Sequence, residues 1–288
     1  LTRGQMMRWA VVGSNGMLGH EMLEFLSAKN QDAVGFDRSA ISAESSVDEI
    51  TSLISGFDVL VNAAGFTAVD LAETELFEAN SVNAIFAGKL AQASGQSDVR
   101  FIHISTDYVF DGNATQPYKV TDNVDPQTAY GESKALGEKL VAESGADYSI
   151  LRTAWLYSVG GKNFAKTIAS ILKSQGQARV VGDQIGQPTW AADLARVVFE
   201  VAQLEDMPRI VHATSSGSGS WADFAREIAG TLGFLSESVV EVSSAEFETA
   251  AKRPAYSVLD NSSSVIEPIG DWRERWRVAT PEVLREFL

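Results

Sequence analysis

Two short segments hold the side chains best suited to chemistry: Ser105-Thr106-Asp107-Tyr108-Val109-Phe110-Asp111-Gly112, and then Tyr130-Gly131-Glu132-Ser133-Lys134. The first follows the apolar run Val99-Arg100-Phe101-Ile102-His103-Ile104. That run reads as a buried strand, so hydroxyls and a carboxylate stand at a strand's C-terminal end. The second puts a phenol and an ammonium four residues apart, on one face of a helix. Together these groups can protonate a carbonyl oxygen while a hydride reaches its carbon. A tyrosine alone is a poor acid at neutral pH, with an ordinary pKa of about 10. A neighbouring ammonium, or an oxidised nicotinamide ring, is expected to lower it. In this reading Tyr130 donates the proton, Lys134 lowers its pKa and reaches the nicotinamide ribose, and Thr106 orients the carbonyl.

A hydride needs a carrier, and the N-terminal segment offers a place for one. The apolar strand Trp9-Ala10-Val11-Val12 runs into Gly13-Ser14-Asn15-Gly16-Met17-Leu18-Gly19. Met17, Leu18, Met22, Leu23, Phe25 and Leu26 then recur at helical spacing. Gly13, Gly16 and Gly19 suit a tight turn, backbone approach to a pyrophosphate and close helix–strand packing. The helix N-terminus adds amides and the positive end of a dipole. Asp37 ends a second strand, Ala33-Val34-Gly35-Phe36, where a carboxylate accepts the ribose hydroxyls of NAD. The adjacent Arg38 suits a 2′-phosphate instead, so NADH and NADPH both stay open.

The elements that must position these groups alternate. Val59-Leu60-Val61 is a third strand closed by Asn62-Ala63-Ala64-Gly65, a long helix runs from about Leu76 to Ser94, and Thr128 caps a helix from about Tyr130 to Glu143. Tyr148-Ser149-Ile150-Leu151-Arg152 is a further strand. The strands are apolar throughout rather than at every second residue, which indicates a parallel sheet covered on both faces. The fold class expected is α/β: a Rossmann-type doubly wound parallel sheet with a smaller C-terminal substrate-binding lobe. The nucleotide-binding domain is expected over 1–152, joined by about 190–213, with 153–288 mainly the substrate lobe. In such sheets ligands bind beyond the carboxyl ends of the strands, where all the polar motifs fall.

Bulk composition narrows the partners. The formal net charge of −15 argues against a nucleic-acid surface, which needs a basic stripe. The absence of cysteine excludes disulfides and thiolate metal sites. No stretch reaches membrane-spanning length and no signal-peptide pattern is present, so the cytoplasm is the expected compartment. Leu1 to Met7 read as an extension or a misassigned start.

With the glycine loop, Asn62-Ala63-Ala64-Gly65 and Tyr130-x-x-x-Lys134 in place, the chain resembles the extended short-chain dehydrogenase/reductase superfamily. Within it, the chain is similar to the branch that reduces 4-keto groups of dTDP-deoxysugars. That resemblance rests on Asn62–Asp70, Ser105–Gly112, Tyr130–Glu138, Arg152-Thr153-Ala154-Trp155-Leu156-Tyr157, Asp183–Thr189 and Arg253–Asp260, in order along nearly the whole chain. It implies reduction of dTDP-4-dehydro-6-deoxy-L-mannose to dTDP-L-rhamnose. Thr106, Tyr130 and Lys134 then carry catalysis. Gly16, Met17 and Leu18, with Ala63, Ala64, Gly65 and Thr67, fall where the cofactor is held, and Asp107 and Trp155 at substrate positions. Relatives often carry Ala-His before Thr67; here Gly65-Phe66 stands instead. Dehydratases of the superfamily place a glutamate after the Thr-Asp pair as their base. Tyr108 occupies that position here, which disfavours elimination. Some relatives form magnesium-associated dimers, so Mg2+ and a monomer or homodimer stay open, with no metal ligand assigned.

Plainer roles compete at several positions. Trp155 suits a core aromatic or a stacking surface for a sugar or base. Arg152 suits a brace at the sheet end better than a diphosphate contact, while Gln184 and Arg253 belong to substrate-lobe motifs and Arg253 suits a diphosphate clamp. His103 reads as a packed neutral imidazole, and Glu73-x-Glu75 and Glu246-x-Glu248 as solvated helix faces. Other readings of the chain are a different nucleotide-sugar 4-ketoreductase or epimerase, or a non-catalytic regulatory subunit of the same fold. Intact Thr106, Tyr130 and Lys134 argue against the last.

Overall fold

A computed structural model describes residues 6–262 and 265–288. The expectation on the first residues falls mostly outside these, although Met7 packs into the core. Strands β1 (Arg8–Val12), β2 (Asp32–Phe36), β3 (Val59–Asn62), β4 (Arg100–Thr106), β5 (Tyr148–Thr153) and β10 (Ile210–His212) form one sheet in the order β10-β5-β4-β3-β1-β2. Every pairing in it is parallel. The chain reverses direction across the sheet between β1 and β3, the switch point where a doubly wound sheet opens a crevice.

Alternation along the strands sorts residues onto two cores. Trp9, Val11, Val59, Val61, Ile102 and Leu151 face helices α1 (Met17–Ala28) and α8 (Ala191–Ala202). Ala10, Val12, Leu60, Phe101 and Ile150 face α2 (Val47–Ile54) and α5 (Ala87–Gln96). With both faces covered, the inner strands are largely apolar rather than alternating, as read from sequence, with His103, Ser105, Ser149 and Arg152 buried among them.

Short helices α3 (Val69–Ala72) and α4 (Leu76–Asn80) lead into a π-helical turn, Ser81–Phe86, that continues as α5. The single long helix expected from Leu76 therefore carries a π insertion, a feature often placed near functional sites. Helix α6 (Ala129–Ala142) starts at Thr128, whose Oγ1 accepts from the Gly131 amide. Glu73 is not simply solvated, since its carboxylate accepts the Ala129 amide at 3.0 Å.

The rest of the chain adds a second core. Helices α7 (Phe164–Gln175), α9 (Trp221–Thr231) and α10 (Trp272–Val283) pack with Trp190, Phe224, Trp272 and Trp276. Strands β7 (Ala178–Val181) and β12 (Val239–Val242) pair in parallel. The two-residue strands β6 (Leu156–Tyr157) and β9 (Thr189–Trp190) do likewise, while β8 (Ile185–Gly186) and β11 (Gly219–Ser220) are antiparallel. Residues 255–260 thread between the two halves: Ser257 donates its amide to Ile185, and Tyr118 to Val258. No helix among the described residues is long and apolar enough to cross a membrane.

Candidate active site

The glycine loop is shaped by close approach. Gly13 has φ +81°, and a Cβ there would lie 2.6 Å from the Ala64 amide nitrogen. At Gly19 a Cβ would meet the Gly13 carbonyl at 2.2 Å. Gly16 is the N-cap of α1 and leaves the first amides without a side-chain acceptor. Above this turn lies a cavity of about 320 Å3 lined by Gly13, Asn15, Gly16, Asp37, Arg38 and the Ala63-Ala64-Gly65 segment. Asp37 accepts from Ser39 and, at 3.4 Å, from Asn15 Nδ2, and the Ser39 bonds hold its carboxyl below the usual range. A turn kept tight at Gly13 and Gly19, helix amides without a side-chain acceptor and a flanking carboxylate and guanidinium fit a dinucleotide. Leu18 instead packs into the core, Met17 turns toward Gly161, and Thr67 is exposed beyond Gly65. Those residues do not line the cavity, so any part they play at Met17 and Leu18 is through backbone amides.

Strand β4 and helix α6 bring the reacting groups together. Thr106 donates to Asp107 Oδ1 at 2.8 Å, and its hydroxyl also interacts with the Tyr130 phenol. Two glycines permit this closeness. A Cβ at Gly131 would stand 2.3 Å from the Tyr108 carbonyl, and one at Gly137 would stand 2.2 Å from that of Asn83 in the π turn. Asn83 in turn holds both backbone groups of Phe66 and donates to Ser133 at 2.9 Å. Phe66 and Tyr130 both pack against Ala72, Ala79 and Ala129, and Tyr108 meets Tyr130 edge-on at 5.5 Å.

The electrostatics depart from the expectation at Tyr130. Burial pushes its phenol up to about 12, and the nearby Asp107 adds to the rise, with Thr106 opposing. The reason lies in where the ammonium points: Lys134 Nζ donates to the Ile104 carbonyl at 2.6 Å and sits 3.4 Å from His103 Nε2. Burial brings Lys134 itself down to about 8, with Glu138 acting against the fall. His103 is fully buried, and burial followed by the Lys134 charge holds it well below its usual range. Asn62 Nδ2 contacts its Nδ1 at 3.1 Å. Burial raises Asp107 to about 6, with hydrogen bonds from Ser257, Thr106 and backbone amides opposing the rise.

A larger cavity of about 700 Å3 opens on the other side of this cluster. Tyr108, Gln127, Gln184, Phe247, Lys252 and Arg253 contribute to its wall. Arg253 Nη2 donates to Asp70 at 2.6 Å, while its buried Nη1 has no partner among the described residues. Thr106 and Asp107 are buried just short of this wall rather than in it. Trp155 does not line it either. Its backbone is left-handed, its indole lies against Gly186, and it stacks on Trp221 at 3.4 Å. Trp221, not Trp155, borders an adjoining space of about 250 Å3 with Phe164, Phe247 and Arg253. Arg152 is buried in an ion pair with Glu138, consistent with a brace. Asn83, Trp221 and Phe247 were not singled out by sequence. An asparagine inside an apolar helical run was the one available signal. Among the described residues no group of three or more histidine, aspartate or glutamate side chains is placed to hold a metal.

Residues 7–288 match the model of the RmlD substrate binding domain family. A probable dTDP-4,6-dihydroxy-2-methyloxan-3-one 4-ketoreductase from Streptomyces antibioticus is 37% identical, over 96% of this chain and 96% of its own. A dTDP-4-dehydrorhamnose reductase from Burkholderia thailandensis is 36% identical, covering 98% and 99%. Among solved structures, dTDP-4-dehydrorhamnose reductase from Bacillus anthracis in complex with NADP superposes with a TM-score of 0.91 at 32% identity, covering 96% and 100%.

Proposed function

The chain belongs to the RmlD substrate binding domain family, and on that footing we propose an NADH- or NADPH-dependent reductase of a dTDP-4-keto-6-deoxyhexose. The reaction is conversion of dTDP-4-dehydro-6-deoxy-L-mannose to dTDP-L-rhamnose. The observation that carries it is the placement of Thr106, Tyr130 and Lys134 at the carboxyl edge of the sheet, beside a dinucleotide-shaped cradle and a cavity able to hold a nucleotide sugar. The bound reduced nicotinamide supplies the hydride.

This chain's residues do the rest. Thr106 and Tyr130 address the substrate carbonyl oxygen together, and Tyr130 passes its proton to that oxygen as charge develops there. A phenol raised by burial holds its proton firmly until an alkoxide forms; for Lys134 to offset the phenolate then, its amine must turn from the Ile104 carbonyl. Arg253, anchored by Asp70 and with one edge of its fork unpaired, suits a diphosphate. Asp107 orients Thr106. Tyr108, where a dehydratase carries its base, offers a phenol whose burial keeps it protonated, so elimination lacks a proton acceptor. Gln184 lines the wall around the sugar nucleotide, and Trp221, backed by Trp155, borders the adjoining space. The Streptomyces relative favours one second reading, reduction of a different dTDP-4-ketosugar.

Purified protein supplied with NADH or NADPH and a panel of dTDP- and UDP-4-ketosugars is expected to oxidise cofactor with dTDP-4-dehydro-6-deoxy-L-mannose. Turnover only with another sugar would reassign the substrate, and turnover with none would remove the reductase reading. In the same assay Tyr130→Phe is expected to lose about 100- to 10,000-fold in kcat while keeping its affinity for NADPH.

A further inference from the structure

Beneath the reacting groups lies a buried polar junction to which the reaction above gives no role. Glu138 stands one turn of α6 beyond Lys134, and its side chain meets two strands at once. Ser105 Oγ donates to its Oε1 at 2.5 Å. Arg152 donates through Nε to Oε1 at 2.9 Å and through Nη2 to Oε2 at 2.6 Å. Ser105 and Arg152 face each other in register across β4 and β5, and Ser105 immediately precedes Thr106. The arginine and glutamate side chains are only 3% and 8% exposed. Ion pairs this deep add little net stability, because desolvation offsets their attraction, and apolar replacements of both partners are often neutral. The junction therefore needs a reason other than stability.

On the reductase reading, we propose that Glu138 is a positioning residue: it fixes α6 against the strand end that carries Thr106, and its carboxylate holds a positive charge on Lys134, one helical turn from Tyr130. The groups around Lys134 explain why a carboxylate is wanted. From β4 it faces His103 and the Ile104 carbonyl. On its own helix Tyr130 lies one turn before it and Glu138 one turn after. Behind Glu138 stand Arg152 of β5 and then His212 of β10, which Arg152 helps keep neutral. Asp107 lies on the Tyr130 side. Burial favours the neutral amine, and Glu138 is the carboxylate that acts against it. A neutral amine at this point cannot offset a phenolate.

Three variants separate this role from simple bracing. Glu138→Gln is expected to lower kcat about tenfold, with KM for the sugar nucleotide changed less than about twofold. It is also expected to move the alkaline limb of the kcat profile about one pH unit toward acid. Because that variant strands Arg152, the double replacement Glu138→Leu with Arg152→Leu provides a version without a lone buried charge; it is expected to keep the acidward limb. Ser105→Ala is expected to lower kcat without moving the limb. A second readout needs no turnover. In 13C-lysine-labelled protein, the Lys134 Cε resonance, assigned by its loss in Lys134→Met, is expected to titrate about one pH unit lower in the double variant than in the wild type. Wild-type titration and a wild-type pH profile in the double variant would overturn the proposal and leave the junction a brace. Wild-type protein that reduces no 4-ketosugar would remove the reductase reading alone, and the lysine titration would still decide for or against Glu138.

Discussion

Asp107 is a buried carboxylate held by the Thr106 and Ser257 hydroxyls, and burial lifts its folded pKa to about 6, above the ordinary 3.8. An acid raised in this way contributes fully below its unfolded pKa, and the contribution is lost as pH rises through the folded value. Two units of difference correspond to about 2–3 kcal/mol against folding at pH 8. Asp107→Asn keeps an acceptor for Thr106 and removes the charge. It should be more stable than wild type by about 2 kcal/mol at pH 8, with the gain gone by pH 3.5. Urea unfolding at the two pH values measures this, and an equal difference at both would show that the carboxyl ionises freely. The same scale shows the limit of spacing arguments. Four residues between Tyr130 and Lys134 were enough to place both on one face, yet the amine turns to the Ile104 carbonyl, and burial governs the phenol.

At the scale of elements, α6 works because it lies closer to its neighbours than side chains would allow. Gly131 admits the Tyr108 carbonyl, and Gly137 admits the Asn83 carbonyl of the π turn. Backbone cannot yield as the tip of a side chain can, so Gly137→Ala must push α6 and the π turn apart. It is expected to cost about 1–3 kcal/mol in unfolding free energy and to lower kcat in the fraction that remains folded. Chemical denaturation with an unchanged m value, alongside turnover, checks both; wild-type stability would mean that the turn relaxes freely. Sequence placed α6 and its cap within a residue because Thr128 and the helical run are local signals. The π insertion escaped it, since the bulge is imposed by Asn83 reaching Phe66 and Ser133 across the fold rather than by propensity along the chain.

Across the whole molecule, the cleft exists because residues from distant parts of the chain close over the carboxyl edge of the sheet. Arg253 binds Asp70, 183 positions earlier, and the same Asp70 accepts the Ala251 amide. A partly exposed pair of this kind adds little to stability, so its effect falls on how Arg253 is aimed. Arg253→Met is expected to raise KM for the sugar nucleotide about 10- to 100-fold, with NADPH affinity and unfolding midpoint near wild type. Binding titrations of the two ligands separate these, and an equal loss for NADPH would show that the arginine serves the fold instead.

The sequence by itself determined the alternation of strands and helices, the glycine turn and the phenol–ammonium face, because each is written in neighbouring residues: apolar runs, a cap, a spacing of three or four. Only the tertiary structure decided which aromatic borders the space adjoining the large cavity, Trp221 rather than Trp155, and where the Lys134 amine points. It alone showed that Glu138, the last residue of the Tyr130–Glu138 motif, ties two strands to one helix. Those outcomes depend on packing, desolvation and hydrogen bonds between segments far apart in the chain, and none of these forces leaves a period or a spacing to read.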